Sequence, residues 1–129
     1  MIVVDTSALV AILAREPAAP ACARIVENED HIAISAGTLA ECMILANARK
    51  IVSEMEDLVA GVKAEIVPVT AATARRIGMI YTRFGKSFHP AGLNYGDCFA
   101  YELATQRDCP LLFVGEDFAR TDVKRAISS

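Results

Sequence analysis

The chain has 129 residues, 53% of them hydrophobic, and a net charge of −3, a size that suits one domain, residues 1–129, with one core. The hydrophobic share exceeds the roughly 45–50% of ordinary globular chains, enough for a buried sheet and some apolar surface for a partner. No apolar run reaches the ~18 residues of a membrane span, and Met1-Ile2-Val3-Val4-Asp5 lacks the basic start of a signal peptide, so a cytoplasmic protein is expected.

An acidic balance argues against a passive nucleic-acid binder. Its distribution is uneven, because no acid lies between Ile66 and Gly96 while Arg75, Arg76, Arg83 and Lys86 do. That window reads either as a solvated basic helix face or as a local phosphate-binding surface. Cys22, Cys42, Cys98 and Cys109 show neither a C-x-x-C pair nor a zinc-finger spacing. They read as small buried hydrophobes kept reduced, and no structural zinc is expected.

In chain order, Ile2-Val3-Val4 is a β-branched run ended by Asp5, and the Ala/Leu-rich stretch 7–14 favours helix. Glu16-Pro17 breaks it, and a second helix is expected from about Pro17 to Glu29. His31–Ser35 reads as a short strand, with His31 at the surface. Helices follow from Ser35 through Lys50 and from about Ser53 to Ala64. Glu65–Val69 is a strand pushed to a sheet edge by Pro68. Thr70 caps a helix to about Phe84, 85–93 is a loop, and Asn94 caps a helix to about Arg107. Leu111–Val114 is an apolar strand, followed by the acidic turn Gly115-Glu116-Asp117 and a short final helix. Strands alternating with helices predict a three-layer α/β/α domain around a mainly parallel sheet.

In such a sheet, strands end and the following helices begin on one edge, where ligands bind. Asp5 ends the first strand, Asp117 follows the last, and Asp97 falls three residues after Asn94. Glu41 lies six residues past Ser35, about 9 Å along a helix, with a long side chain leaning back towards the helix start. All four can therefore converge at one edge. Each also has a quieter role. Asp5 suits a helix cap, Thr38-x-x-Glu41 fits a capping box, and Asp97 and Asp117 suit helix dipoles. Their neighbourhood favours the convergent reading. From Ala36 to Ala46 the only polar side chains are Thr38 and Glu41, and Asp97 precedes Cys98-Phe99-Ala100. Carboxylates in core elements need partners, and no Lys or Arg is near any of them in sequence. Oxygen-only ligands point to Mg²⁺ or Mn²⁺, and the chemistry that suits them is phosphodiester hydrolysis by metal-activated water. Two such ions would also cancel the net negative charge.

Four segments carry a family resemblance: Ile-Val-Val-Asp-Thr-Ser-Ala-Leu at 2–9, Thr-Leu-Ala-Glu ending at Glu41, Leu-Asn-Tyr-Gly-Asp-Cys at 93–98 and Leu-Leu-Phe-Val-Gly-Glu-Asp-Phe at 111–118. In order and spacing they resemble the motifs of PIN-domain ribonucleases, in particular the VapC toxins of VapBC toxin–antitoxin pairs. The resemblance implies a Mg²⁺-dependent endoribonuclease, with Mn²⁺ as a substitute, that forms a homodimer and is inhibited by a VapB-like antitoxin. It implies Asp5, Glu41, Asp97 and Asp117 as catalytic metal ligands, with Thr6 or Ser7 as the supporting hydroxyl. The approach to the last acid departs from the family pattern, since Gly115 stands where many members have Thr, so Glu116 competes with Asp117. Asp122 is a further nearby acid that equally suits a cap of the final helix. The loop 85–92 also resembles part of the family, and Arg83, Lys86 and His89 are its RNA-contact candidates.

Two other readings share the first strand and Asp5. An aspartyl-phosphate phosphatase wants a second Asp where Ser7 stands. A receiver-like regulatory module wants an Asp after the middle strand, where Ser35-Ala36-Gly37 follows instead.

Overall fold

A computed structural model describes residues 1–127. Four strands, β1 (Ile2–Val4), β2 (Ile32–Ser35), β3 (Glu65–Val67) and β4 (Leu111–Leu112), form one sheet in the order β3-β2-β1-β4. Every pairing is parallel, with Ile2 opposite Ile32, Val4 opposite Leu112 and Ile34 opposite Ile66. The central strand β1 is buried throughout. Its unbroken β-branched run is what a parallel strand covered on both faces requires.

Alternation along the strands divides the core in two. Ile2, Val4, Ile32, Ile34 and Leu112 point into a cluster with α1 (Thr6–Leu13), α2 (Ala19–Asn28), α3 (Ala36–Arg49) and α4 (Val52–Gly61). Val3, Ala33 and Leu111 point the other way, against α5 (Ala71–Phe84) and α6 (Tyr95–Gln106). The expected α/β/α layering around a parallel sheet is thus the observed one.

The edge position of β3 also follows the sequence reading, and Pro68 directly after it needs no ladder partner. The outer side of β4 is covered by the C-terminal segment, where Leu111 N–H donates to the Lys124 carbonyl and Ala126 N–H to the Leu111 carbonyl.

Several boundaries differ from expectation. α2 begins at Ala19, not Pro17, with Pro20 in its first turn and no side-chain cap. α4 ends at Gly61 because Lys63 takes a left-handed φ of 55°. β4 is two residues long, and in place of a final helix there is a single 3-10 turn at Phe118–Arg120. Asp122 therefore caps nothing. It accepts hydrogen bonds from the Tyr101 hydroxyl and from Arg83 Nη2.

Candidate metal-binding active site

Three helices start at the sheet edge where the strands end, and each start is built by a side-chain cap. Asp5 caps α1, its Oδ2 accepting from the Ser7 N–H at 3.0 Å and the Ser7 hydroxyl at 2.7 Å. Ser35 caps α3 through the Gly37 N–H. Asn94 caps α6 in a reciprocal box with Asp97, whose Oδ2 accepts the Asn94 N–H at 3.0 Å. The Thr38-x-x-Glu41 capping box does not form, because α3 is already capped by Ser35 and begins at Ala36. Glu41 is left free to face across to α1, where its Oε1 accepts the Thr6 hydroxyl at 2.6 Å. Cys42 Sγ in turn donates to Thr6 Oγ1. Ser7 bonds both ways, giving its proton to Asp5 and accepting the Val114 N–H at 3.0 Å, which ties the end of β1 to the end of β4.

Asp5, Thr6, Ser7, Glu41 and Asp97 line one cavity of about 290 Å³, with Val10, Glu16, Leu45 and Val114 completing its wall. Among the described residues no cationic side chain lines it. Asp5 is 3% exposed and Asp97 8%, and among the described residues Asp5 Oδ1 is a buried oxygen with no hydrogen-bond partner. Burial pushes the Asp5 carboxyl up to about 6, against the Ser7 hydrogen bonds and with help from the Glu41 charge. Burial also pushes Asp97 up to about 7, against the Asn94 N–H, with the charges of Asp5, Asp117 and Glu41 adding to it. Such a cluster must either take up protons or gain a positive partner.

The donor set fits a hard divalent cation, being carboxylate and hydroxyl oxygens only. Among the described residues no three acidic, His or Cys side chains close on one point as they stand. The acids surround the cavity instead of forming a finished shell. That suits an ion of the magnesium type, which takes one or two carboxylates and keeps most of its waters.

Gly96 supports this arrangement. A Cβ at that position would lie 2.7 Å from Glu41 Cδ, so only glycine lets the Glu41 carboxylate rest on the first turn of α6.

The remaining candidates lie elsewhere. Asp117 and Glu116 are exposed on the turn after β4 and do not line the cavity, although the Asp117 charge is felt at Asp97. Arg83, Lys86 and His89 are also outside it. Arg83 is paired with Asp122, and its guanidinium lies 4.5 Å from the centre of the Phe84 ring. His89 Nδ1 accepts the Ala91 N–H, and its ring packs on Phe84. The basic window is partly consumed in the same way, since Arg76 pairs with the buried Glu102. His31 is exposed as expected, but it pairs with Glu65.

Sequence reasoning missed Glu16 as a cavity residue. The α1 C-terminus closes with Arg15 at a left-handed φ of 54° while the Glu16 N–H bonds the Ala11 carbonyl, a turn that carries Glu16 to the cavity. A glycine at position 15 would have signalled that turn, and arginine hides it.

The PIN domain family matches residues 2–124. The VapC28 ribonuclease of Mycobacterium tuberculosis is 41% identical, with 97% of both chains covered. A VapC ribonuclease of Mycolicibacterium smegmatis is 40% identical, over 94% of this chain and 96% of that one. In structure the chain resembles VapC20 of Mycobacterium tuberculosis, a sarcin–ricin loop cleaving toxin, with a TM-score of 0.78, 16% identity and 95% and 96% coverage. A toxin–antitoxin complex from Klebsiella pneumoniae matches with a TM-score of 0.72, 17% identity and 95% and 93% coverage. These likenesses establish the fold, and the sequence relatives span the same length as the chain. The acid cavity at the end of β1 thus sits in a chain that belongs to the PIN-domain family and, within it, to the VapC ribonucleases.

Proposed function

We propose that this chain is the toxin of a toxin–antitoxin pair and hydrolyses RNA phosphodiesters internally, with Asp5, Glu41 and Asp97 holding Mg²⁺, for which Mn²⁺ can substitute. The observation that carries the reading is a cavity that these three carboxylates line together, in which, among the described residues, no cationic side chain takes part and Asp5 Oδ1 has no hydrogen-bond partner. A bound divalent ion supplies Lewis acidity towards a phosphodiester oxygen. The chain's own residues supply position. Ser7 holds Asp5 against β4, Thr6 holds Glu41 against α1, and the Asn94 box holds Asp97 at the start of α6. Asp117 acts from outside the cavity through its charge on Asp97, and Glu116 shares that turn.

The solved relatives described as toxin–antitoxin assemblies support a VapB-like antitoxin as partner, and the apolar surplus supports a homodimer. Two cores sharing one sheet support a single domain. No helix among the described residues is long and apolar enough to cross a membrane, in keeping with action on cytoplasmic RNA.

The test is cleavage of total RNA by wild type and Asp97→Asn with Mg²⁺, Mn²⁺ or a chelator. Cleavage that requires the metal and is lost in the variant, with unchanged far-UV dichroism, is the expected result. Wild-type rates from the variant, or cutting in excess chelator, would refute the assignment.

A further inference from the structure

Beside the acid cavity, and sharing Glu41 with it, runs a second groove of about 250 Å³ lined by Gly37, Ala40, Ile44, Tyr95, Gly96 and Phe99. Two glycines make it. A Cβ on Gly37 would lie 2.3 Å from Phe99 Cδ1 and 2.4 Å from its Cγ, so glycine at that position lets the ring pack directly against the first turn of α3. Gly96 removes the side chain between Tyr95 and Asp97, which keeps the groove open towards the carboxylates. Phe99 is 7% exposed, yet Tyr95 is 69% and Ile44 70% exposed. The Tyr95 ring stands edge-to-face on Phe99 at 5.0 Å, with an interplanar angle of 81°. The tyrosine is thus braced by a buried ring and still presents a face to solvent.

We propose that this groove is a stacking site for one unpaired nucleobase of the RNA, next to the scissile phosphate, with Tyr95 as its platform and Ile44 as the opposite wall. The inference rests on the ribonuclease reading, because the occupant is argued from continuity with the acid cavity. Because Glu41 lines both spaces, a phosphate held in the acid cavity has the groove directly beside it for an adjacent base. The chemistry agrees. Glu41 is the groove's one carboxylate, and apart from the Tyr95 hydroxyl the rest of its lining is apolar or backbone. Its volume lies below the roughly 300–1,000 Å³ that drug-sized ligands occupy, which suits a single planar ring. Stacking on an exposed aromatic is how single-stranded nucleic acid is held without sequence readout. Single-stranded or looped RNA is therefore the favoured substrate.

The experiment measures cleavage kinetics of wild type, Tyr95→Ala and Tyr95→Phe on a single-stranded oligonucleotide and on the same sequence held in a duplex. On single-stranded RNA, Tyr95→Ala should raise KM roughly ten-fold or more with kcat changed far less, while Tyr95→Phe keeps the wild-type KM because its ring still stacks. The duplex should be cut slowly by all three proteins. Replacing one base at a time by an abasic site should locate a single position where wild type loses as much as Tyr95→Ala and where the two effects do not add. Equal loss in both variants would assign the role to the hydroxyl and overturn stacking. An unchanged KM in Tyr95→Ala accompanied by a lower oligomeric state would make the groove a face between copies of the chain. If wild type cut no RNA with Mg²⁺ or Mn²⁺, the ribonuclease reading would fall and this inference with it, whereas normal wild-type cleavage unaffected by Tyr95→Ala would overturn the stacking site alone.

Discussion

Replacing Asp97 with asparagine should stabilise the metal-free protein at neutral and alkaline pH while removing its response to divalent ions. Asp97 is buried to 8% exposure beside Asp5 and Glu41, and its carboxyl sits at about 7 against an ordinary 3.8. The folded state therefore keeps a proton that the unfolded chain releases above about pH 4. Between about pH 4 and 7 the unfolded state gains relative to the folded one as pH rises, and above 7 the penalty is complete. The full interval corresponds to a ceiling of about 4 kcal/mol. The acids share one repulsion and water reaches the cavity, so about 1–2 kcal/mol is the realistic size at pH 8. Asparagine keeps an oxygen for the Asn94 N–H and discards the charge. For a chain of this size, roughly 3–5 °C of melting temperature accompanies each kcal/mol. Melting curves of chelated protein from pH 5 to 8 should fall with pH in wild type and fall less in Asp97→Asn, so that the variant is the more stable at pH 8. Addition of Mg²⁺ should restore wild type there, less so at pH 5 where protons compete, and should leave the variant nearly unmoved. A wild-type curve flat in pH, or a variant that melts lower at pH 8 in chelator, would refute the claim that uncompensated carboxylates dominate this site.

Gly96→Ala should cost activity without costing stability. An alanine in the first turn of α6 favours helix by up to about 1 kcal/mol, but its Cβ would displace the Glu41 carboxylate. A shift of that size should lower kcat roughly ten- to a hundred-fold. A variant with the wild-type rate would show that Glu41 need not lie where it does. Ser7→Ala removes the group that both holds Asp5 and satisfies the Val114 N–H. It should destabilise by about 1–3 kcal/mol, read as a lower urea midpoint at unchanged slope, and an unchanged midpoint would show that the bridge between β1 and β4 is dispensable.

How far the sequence could be read follows from what each residue does locally. β1 was legible because Ile-Val-Val leaves no alternative to a strand buried on both faces, and Asp5 ends it by capping the next helix. The helix ends that moved were set by backbone states which side-chain composition does not reveal, the left-handed Arg15 and Lys63 among them. At the site, cap and catalytic candidate are not competing readings. Asp5 caps α1 and Asp97 closes the box at α6, and both line the cavity. In a parallel sheet the helix starts and strand ends share one edge, so a residue that caps there is carried to the place where a ligand is held. One carboxylate oxygen then serves the helix, as Asp5 Oδ2 does, and the other is left over, as Asp5 Oδ1 is. Asp117 shows the converse. It stands at the right edge but at the start of a three-residue turn that its side chain does not cap, and it stays exposed. Glu41 is neither cap nor strand end, and its place depends on Thr6 and on the empty space at Gly96. That dependence is long-range, which is why the isolated acid in an apolar helix could be flagged from the sequence while its contacts could not.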